Sequence, residues 1–310
     1  MVPKEYYGRL FTKEQLPVDY HSEAFTLESM IKVDKQLRCK RCYSQIEEDW
    51  QLPGGQYYCR ACIVFGRNQE EKELYYFPSK TSEIEFPVLK WLGELTPYQA
   101  KVSEKLLETY QKQKDSLVHA VTGAGKTEMI YKIVAYVLEN KGRVAIASPR
   151  VDVCRELFLR MQGDFTCSIS LLHAESEPYD GSPLVIATTH QLLKFYQNFD
   201  LVIVDEVDAF PFVGNVMLNH AVEQAKKETG RYIYLTATST LSLEEQVRLG
   251  ALEKHHLARR FHGNPLVLPK FCWQGRLQKS LMRGKLPRPL LYQIKKQRKS
   301  KFPLLIPQLG

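Results

Sequence analysis

Ala120-Val121-Thr122-Gly123-Ala124-Gly125-Lys126-Thr127 sits between an apolar run, residues 116–121, and an amphipathic stretch, residues 126–139. A strand, a glycine-bearing turn and a helix in that order are what a phosphate-binding loop requires. Gly123 and Gly125 let backbone N–H groups turn inward toward phosphate oxygens, and the helix N-terminus adds partial positive charge. Residues Thr122, Gly123, Ala124, Gly125, Lys126 and Thr127 are therefore candidate nucleotide-binding positions. Lys126 is placed to reach the β- and γ-phosphates, and the Thr127 hydroxyl to ligate Mg²⁺. The first glycine of the usual GxxxxGKT pattern is Ala120 here. An ordinary glycine turn carrying a surface lysine is the competing reading.

Outward from this turn the same texture repeats. Residues 143–148, 184–188, 200–204 and 231–235 are further short apolar runs, typical of strands buried on both faces. Between them lie helical patterns. Over 126–139, Met129, Ile130, Ile133, Val134, Val137 and Leu138 share one face. Strands separated by helices predict an α/β fold with a parallel sheet wrapped by helices.

Leu201-Val202-Ile203-Val204-Asp205-Glu206-Val207-Asp208 puts acids at the C-terminal end of a buried strand, the edge where open α/β sheets bind ligands. Asp205 is suited to hold Mg²⁺ through water, and Glu206 to orient or deprotonate the attacking water. An acid that merely caps the next helix is the alternative. Lys126, Thr127, Asp205 and Glu206 together predict nucleoside triphosphate hydrolysis, with ATP and Mg²⁺ as cofactors.

These strings, with Thr236-Ala237-Thr238, resemble motifs I, II and III of superfamily 2 helicases and translocases, in which Ala at the first loop position is usual. Leu95-Thr96-Pro97-Tyr98-Gln99 precedes the loop where related enzymes carry a glutamine that reads adenine. Ala147-Ser148-Pro149-Arg150 resembles motif Ia, and Ala187-Thr188-Thr189-His190-Gln191 motif Ib. The resemblance covers 95 to about 252 and implies one RecA-like domain. It also implies nucleic-acid backbone contacts at Pro149, Arg150, Thr188 and Thr189, and coupling of nucleotide state to strand movement at Thr236 and Thr238. Threonines that simply end a buried strand remain the other reading of that pair.

Cys39-x2-Cys42 and Cys59-x2-Cys62, 16 residues apart, fit a four-cysteine Zn²⁺ site of the zinc-ribbon kind. A redox CxxC is the alternative for either pair alone. Four protein ligands leave no open position, so the predicted zinc is structural. Lys40, Arg41, Arg60 and Arg67, with Tyr43, Trp50, Tyr57 and Tyr58, could touch a nucleic-acid strand, though Glu47, Glu48 and Asp49 make a solvated surface an equal reading. Cys154, Cys167 and Cys272 are read as buried thiols.

A four-cysteine module ahead of such a motor, with Asp205-Glu206-Val207-Asp208-Ala209-Phe210-Pro211 and Phe261-His262-Gly263-Asn264-Pro265-Leu266, resembles the ComFA competence ATPases over nearly the whole chain. That family implies a cytoplasmic motor, peripheral on the inner face of the membrane, that drives uptake of single-stranded DNA during natural transformation. It implies as partners an inner-membrane DNA-uptake channel and a ComF-type phosphoribosyltransferase-like protein. Oligomer formation is left open. Two alternatives stand beside this reading: a zinc-stabilised DNA-binding or adaptor protein with a vestigial nucleotide site, and a fragment of a primosome or repair helicase.

The chain has 310 residues and a formal charge of +8. From Lys254 onward there are 14 Lys and Arg and no Asp or Glu, which leaves the preceding residues net acidic. Such a block points to a polyanionic partner. Hydrophobic content of 44% excludes wholesale disorder, and no apolar run reaches the ~18–20 residues of a membrane span. The N-terminus has no apolar core of a secretory signal, which predicts a soluble cytosolic protein with reduced cysteines.

The expected organisation is an N-terminal arm (1–37), the zinc module (38–66), a Glu-rich linker (67–94), the RecA-like domain (95–258), and a basic linker opening a second RecA-like domain (259–310). No Gln-x-x-Gly-Arg-x-x-Arg motif VI is present, so the second domain is expected to be incomplete in this chain.

Overall fold

A computed structural model describes residues 2–257 apart from Ser82, with isolated positions 286, 288 and 290–292. The chain forms two compact units, Met1–Pro265 and Leu266–Gly310, and the β-sheets of the described residues belong to the first. The predicted segment 259–310, save those isolated positions, and Cys272 within it lie outside the described residues.

The N-terminal third is built from β1 (Leu10–Thr12), β2 (Phe25–Glu28), β3 (Met30–Val33), β4 (Gln36–Cys39) and β5 (Glu73–Tyr76). β5 pairs antiparallel with β1 on one side and β2 on the other, and β3 and β4 form a separate hairpin leading to the first cysteine. The arm and linker expected at 1–37 and 67–94 are thus parts of one sheet. Polar composition hid β5, because only Leu74 of its residues is fully buried. Val2, Phe11, Leu16 and Phe77 form its small core.

The rest of the linker is strapped onto the larger body. Thr166 N–H donates to Val88 O at 2.9 Å and Lys90 N–H to Asp164 O at 2.8 Å. The Trp91 ring stands edge-on to Tyr131.

The body follows as α1 (Pro97–Gln111), β6 (Asp115–Ala120), α2 (Lys126–Met129), α3 (Tyr131–Glu139), β7 (Val144–Ser148), α4 (Val151–Asp164), β8 (Ile169–Leu172) and β9 (Leu184–Thr188). It continues with β10 (Phe199–Asp205), α5 (Val216–Ala225), β11 (Lys226–Thr236), α6 (Leu241–Arg248) and β12 (Leu252–Leu257). Seven strands form one parallel sheet in the order β12-β6-β11-β10-β7-β9-β8. This is the parallel α/β sheet that the strand–helix alternation predicts and the RecA-like one that the superfamily resemblance implies.

β7 and β9 are buried at every position, which is why they read as continuous apolar runs. β12 and the edge strand β8 escape that test. β12 carries Lys254, His255 and His256, and β8 alternates buried with half-buried residues. The helix predicted over 126–139 breaks at Ile130 into α2 and α3. β11 starts five residues before the predicted 231–235, with its register to β10 shifting between Phe199 and Leu201.

Burial of His255 is expected to make the sheet pH-sensitive. The residue is 4% exposed, with Nε2 at 3.3 Å from Thr109 Oγ1 and 3.4 Å from Ser116 Oγ. Burial pushes its imidazole below the ordinary 6.5. The unfolded chain therefore takes up the proton first, and the stability present above about pH 6.5 is lost as pH falls toward the folded value. His255→Gln is expected to reduce the drop in melting temperature between pH 7 and 5. An unchanged pH profile in thermal unfolding would rule out this account.

Candidate nucleotide site and four-cysteine centre

The phosphate-loop strand, the acidic strand and the strand ending in Thr236 are neighbours. β11 lies between β6 and β10, so Thr236 ends beside the loop on one side and the acids on the other. All three segments leave the same edge of the sheet, the C-terminal edge where such sheets bind ligands.

Gly123 and Gly125 take left-handed φ of 77° and 71°, as a loop with inward amides requires. Lys126 opens α2, and its Nζ stands 3.7 Å from Asp205 Oδ1 with both side chains largely buried. Thr127 is the second residue of α2, and Thr122 lies in the turn before it.

Burial pushes the Asp205 carboxyl above its ordinary value against the pull of Lys126, and the Glu206 amide donates to Oδ1 at 2.9 Å. Glu206 has a left-handed φ of 55°. Burial, then Asp205, raises its carboxyl, while Arg150 and Lys126 oppose the rise. Its Oε2 is buried without a hydrogen-bond partner among the described residues. A buried cation facing two carboxylates with raised proton affinity can take a triphosphate with Mg²⁺. The divalent ion would restore the charge that burial disfavours.

Gln99 is buried and its amide donates to Ala124 O at 2.9 Å. Arg150 is exposed and paired with Asp152, with Nη1 3.8 Å from Glu206 Oε1; Pro149, before it, directly follows β7. Thr188 ends β9 opposite Ser148, which brings the two motif-like strings side by side, and Thr189 is fully buried. That burial leaves Thr189 unsuited to touch a strand in this conformation. Thr236 Oγ1 donates to Thr238 O at 2.7 Å and accepts from Thr238 N–H at 3.0 Å, closing a tight turn.

Away from this edge, Cys39, Cys42, Cys59 and Cys62 are fully buried with all four sulfurs within 4.8 Å of one another. Sγ–Sγ distances of 3.7 Å (Cys39–Cys62) and 3.5 Å (Cys42–Cys59) exclude disulfides. They match the roughly 3.8 Å edge of a tetrahedron with Zn–S bonds of about 2.3 Å. The four thiols fit a structural zinc.

A family model described as DEAD/DEAH box helicase matches residues 96–246. Competence protein ComFA of Streptococcus pneumoniae (strain ATCC BAA-255 / R6) is 55% identical over 305 residues, covering 97% of this chain and 70% of that protein. The chain belongs to the ComFA family.

Competence protein ComFA of Bacillus subtilis (strain 168) is 35% identical over 89% of this chain and 62% of its own length. Replication restart protein PriA of Bacillus subtilis (strain 168) is 24% identical over 57% of this chain and 24% of its own length. The ComFA match includes the cysteine module, and with the helicase domain it marks a helicase-superfamily ATPase, which implies ATP and Mg²⁺.

Several residues of this ComFA chain matter and carry no motif. Asn68 donates to Cys39 Sγ at 3.1 Å and to Ser29 O at 2.7 Å, orienting a thiolate from outside the ligand set. His220 of α5 stacks on Tyr43 at 5.1 Å between ring centroids and has Nε2 3.0 Å from Lys40 O, joining the first cysteine loop to the motor. Arg41 is fully buried and donates to Gly66 O at 2.7 Å, and Arg60 pairs with Asp49. Arg41 is spent on the module itself and Tyr43 on His220, so the basic and aromatic strand-contact surface read from sequence loses both, while Arg60 stays exposed beside Asp49. Of the unpartnered thiols, Cys154 is buried as predicted and Cys167 half-buried.

Proposed function

We propose that this chain is the nucleotide-binding part of a motor that couples ATP hydrolysis to uptake of single-stranded DNA in natural transformation. The observation that carries the reading is the approach of Lys126 to Asp205 across a parallel sheet in a ComFA-family chain. Lys126 and the loop amides at 122–127 bind the phosphates, and Thr127 and Asp205 hold Mg²⁺. Glu206 takes a proton from the attacking water, leaving in-line displacement of the γ-phosphate to positioning and charge. Four cysteines hold zinc as a structural ion.

The reading extends to single-stranded DNA contacts at Pro149, Arg150 and Thr188, and to Thr236 and Thr238 as coupling residues. It places the protein in the cytoplasm, peripheral on the inner face of the membrane. There it would meet an inner-membrane DNA channel and a ComF-type phosphoribosyltransferase-like protein. Among the described residues no helix is long and apolar enough to cross a membrane. The competence relatives are longer than this chain, and a second RecA-like domain supplies arginine fingers worth about 10³–10⁵ in rate elsewhere. The 310-residue chain alone is expected to bind ATP and hydrolyse it slowly.

The test is ATP binding and phosphate release with and without single-stranded DNA, on the chain and on Lys126→Ala. Loss of nucleotide binding in Lys126→Ala, with slow turnover in the parent, is the expected outcome. An adaptor with a vestigial site would bind DNA equally well in both proteins and hydrolyse in neither. Binding to DNA should weaken steeply with salt and fall when residues 276–301 are deleted, because counterion release scales with phosphate contacts. A salt slope unchanged by the deletion removes the basic segment from the DNA site.

A further inference from the structure

We infer that Tyr58, Arg60 and Arg67 on the four-cysteine module form a contact surface for single-stranded DNA. The inference rests on the reading of this chain as part of a DNA motor and extends it to a region outside the nucleotide site. The fold sorts the basic and aromatic side chains around the cysteines. Arg41 is fully buried, and Tyr43 meets the Arg38 guanidinium and the His220 ring. Trp50 and Tyr57 pack against the buried cluster that contains the sulfurs, and Lys40 sits half-buried at the His220 contact. Tyr58, Arg60 and Arg67 remain, and they meet in one place. The guanidinium carbons of Arg60 and Arg67 lie 5.7 and 5.9 Å from the centre of the Tyr58 ring.

Backbone pairing fixes that ring. Tyr58 bridges to Gln69, its N–H donates to Trp50 O at 3.0 Å, and the next residue is Cys59 of the sulfur cluster. Arg60 is held in place as well. Its Nε donates to the Tyr58 hydroxyl at 3.0 Å, Nη1 to Asp49 Oδ2 at 3.0 Å and Nη2 to Asp49 O at 2.8 Å. A guanidinium carries five N–H donors, so after these three bonds two stay free for phosphate. Arg67 is exposed and enters no ion pair among the described residues. Asp49 is the acid in contact with the group, and its pair with Arg60 is exposed on both sides, the kind that contributes little. Glu70 is spent on Tyr57 N–H at 3.1 Å. Two cations beside one acid suit a phosphate backbone, and an aromatic ring flanked by guanidinium planes suits an unpaired base. A duplex keeps its base faces inside the stack, so the combination favours a single strand.

The experiment follows the anisotropy of a labelled oligothymidine strand, and of a duplex of the same length, from about 50 to 200 mM salt. The 310-residue chain and its variants are compared, with zinc content and binding of an ATP analogue measured alongside. Arg60→Gln and Arg67→Gln are each expected to weaken single-strand binding about fivefold at the lower salt, and to cut the slope of log affinity against log salt by about 0.7. Arg67→Lys keeps the charge and should keep the slope. Tyr58→Leu should weaken the single strand about tenfold, with the slope and the duplex affinity unchanged. Asp49→Asn releases Arg60 and should tighten the single strand.

A slope that both glutamine variants leave unchanged overturns the inference. Equal loss of strand and duplex in Tyr58→Leu overturns the assignment to a single strand. Should Tyr58→Leu lose its zinc, the arginine variants still decide. Parent-like DNA binding in every variant also overturns the inference, and leaves this surface, with Ile63 and Val64 exposed in the turn after Cys62, to a protein partner. A parent chain that binds the ATP analogue but no single-stranded DNA overturns the DNA-motor reading itself, a failure visible without any variant.

Discussion

Glu206→Gln is expected to keep ATP bound while turnover falls by about 10²–10⁴-fold, the range a positioned general base contributes. The residue follows β10 directly and holds a left-handed φ of 55°, a conformation that costs a non-glycine residue about 1–3 kcal/mol. The neighbouring backbone fixes it there: Val207 N–H donates to Leu235 O at 3.3 Å and Ala209 N–H to Glu206 O at 2.9 Å. One carboxylate oxygen is buried without a partner among the described residues, so it has capacity to accept from a water that neither Lys126 nor Arg150 consumes. Glutamine keeps the shape and loses the basicity.

The raised Glu206 carboxyl sets the pH dependence. A base works when deprotonated, so turnover should be full above its folded pKa and fall as pH drops through it. Burial and Asp205 push that limb above the ordinary carboxylate range, and the charge of bound Mg²⁺ would oppose the rise. Nucleotide titration together with phosphate release from pH 5 to 8 checks both statements. Hydrolysis by Glu206→Gln within a few-fold of the parent would remove Glu206 from the chemistry.

Zinc removal should have the larger structural effect. Purified chain is expected to hold one zinc, and Cys59→Ser or a strong chelator should release it and lower the unfolding temperature of the motor as well as of the cysteine module. Structural zinc carries about 10–16 kcal/mol of apparent binding energy in small modules, comparable to the ~5–15 kcal/mol net stability of a whole domain. The effect should spread because the four cysteines belong to the same buried cluster as Leu218, Ala221 and Val222 of α5, Phe199 of β10 and Phe195 just before it. His220 on α5 and Lys194, whose ammonium lies 5.6 Å from the Phe65 ring centre, tie the two parts at further points. Metal analysis and calorimetry decide it. A metal-free protein that melts at the loaded protein's temperature would show that the cluster contributes nothing.

Particular residues show why some of this was legible in the sequence and some was not. β7 and β9 announce themselves because a central parallel strand buries both faces and must be apolar throughout. β12 does not, because His255 and Lys254 satisfy their polar groups through tertiary neighbours, Thr109 and Ser116 for the first and Glu244 for the second. Asp205, Glu206 and Lys126 are readable because their chemistry demands fixed residue types at fixed places after a strand. Asn68 and His220 are not, since an amide or an imidazole can serve almost anywhere and only the fold brings these two to the cysteines.

The parallel sheet, the phosphate loop, the acidic strand end and the four-cysteine centre can all be read along the chain, because periodicity and ligand spacing are local properties. It took the folded molecule to show that the predicted linker supplies a central strand between β1 and β2, and that the zinc module shares a core with α5. The same holds for the placement of the Gln99 amide on the Ala124 carbonyl. Each of these depends on contacts between residues far apart in the chain, and such contacts are set by which surfaces are buried together, which no local pattern records.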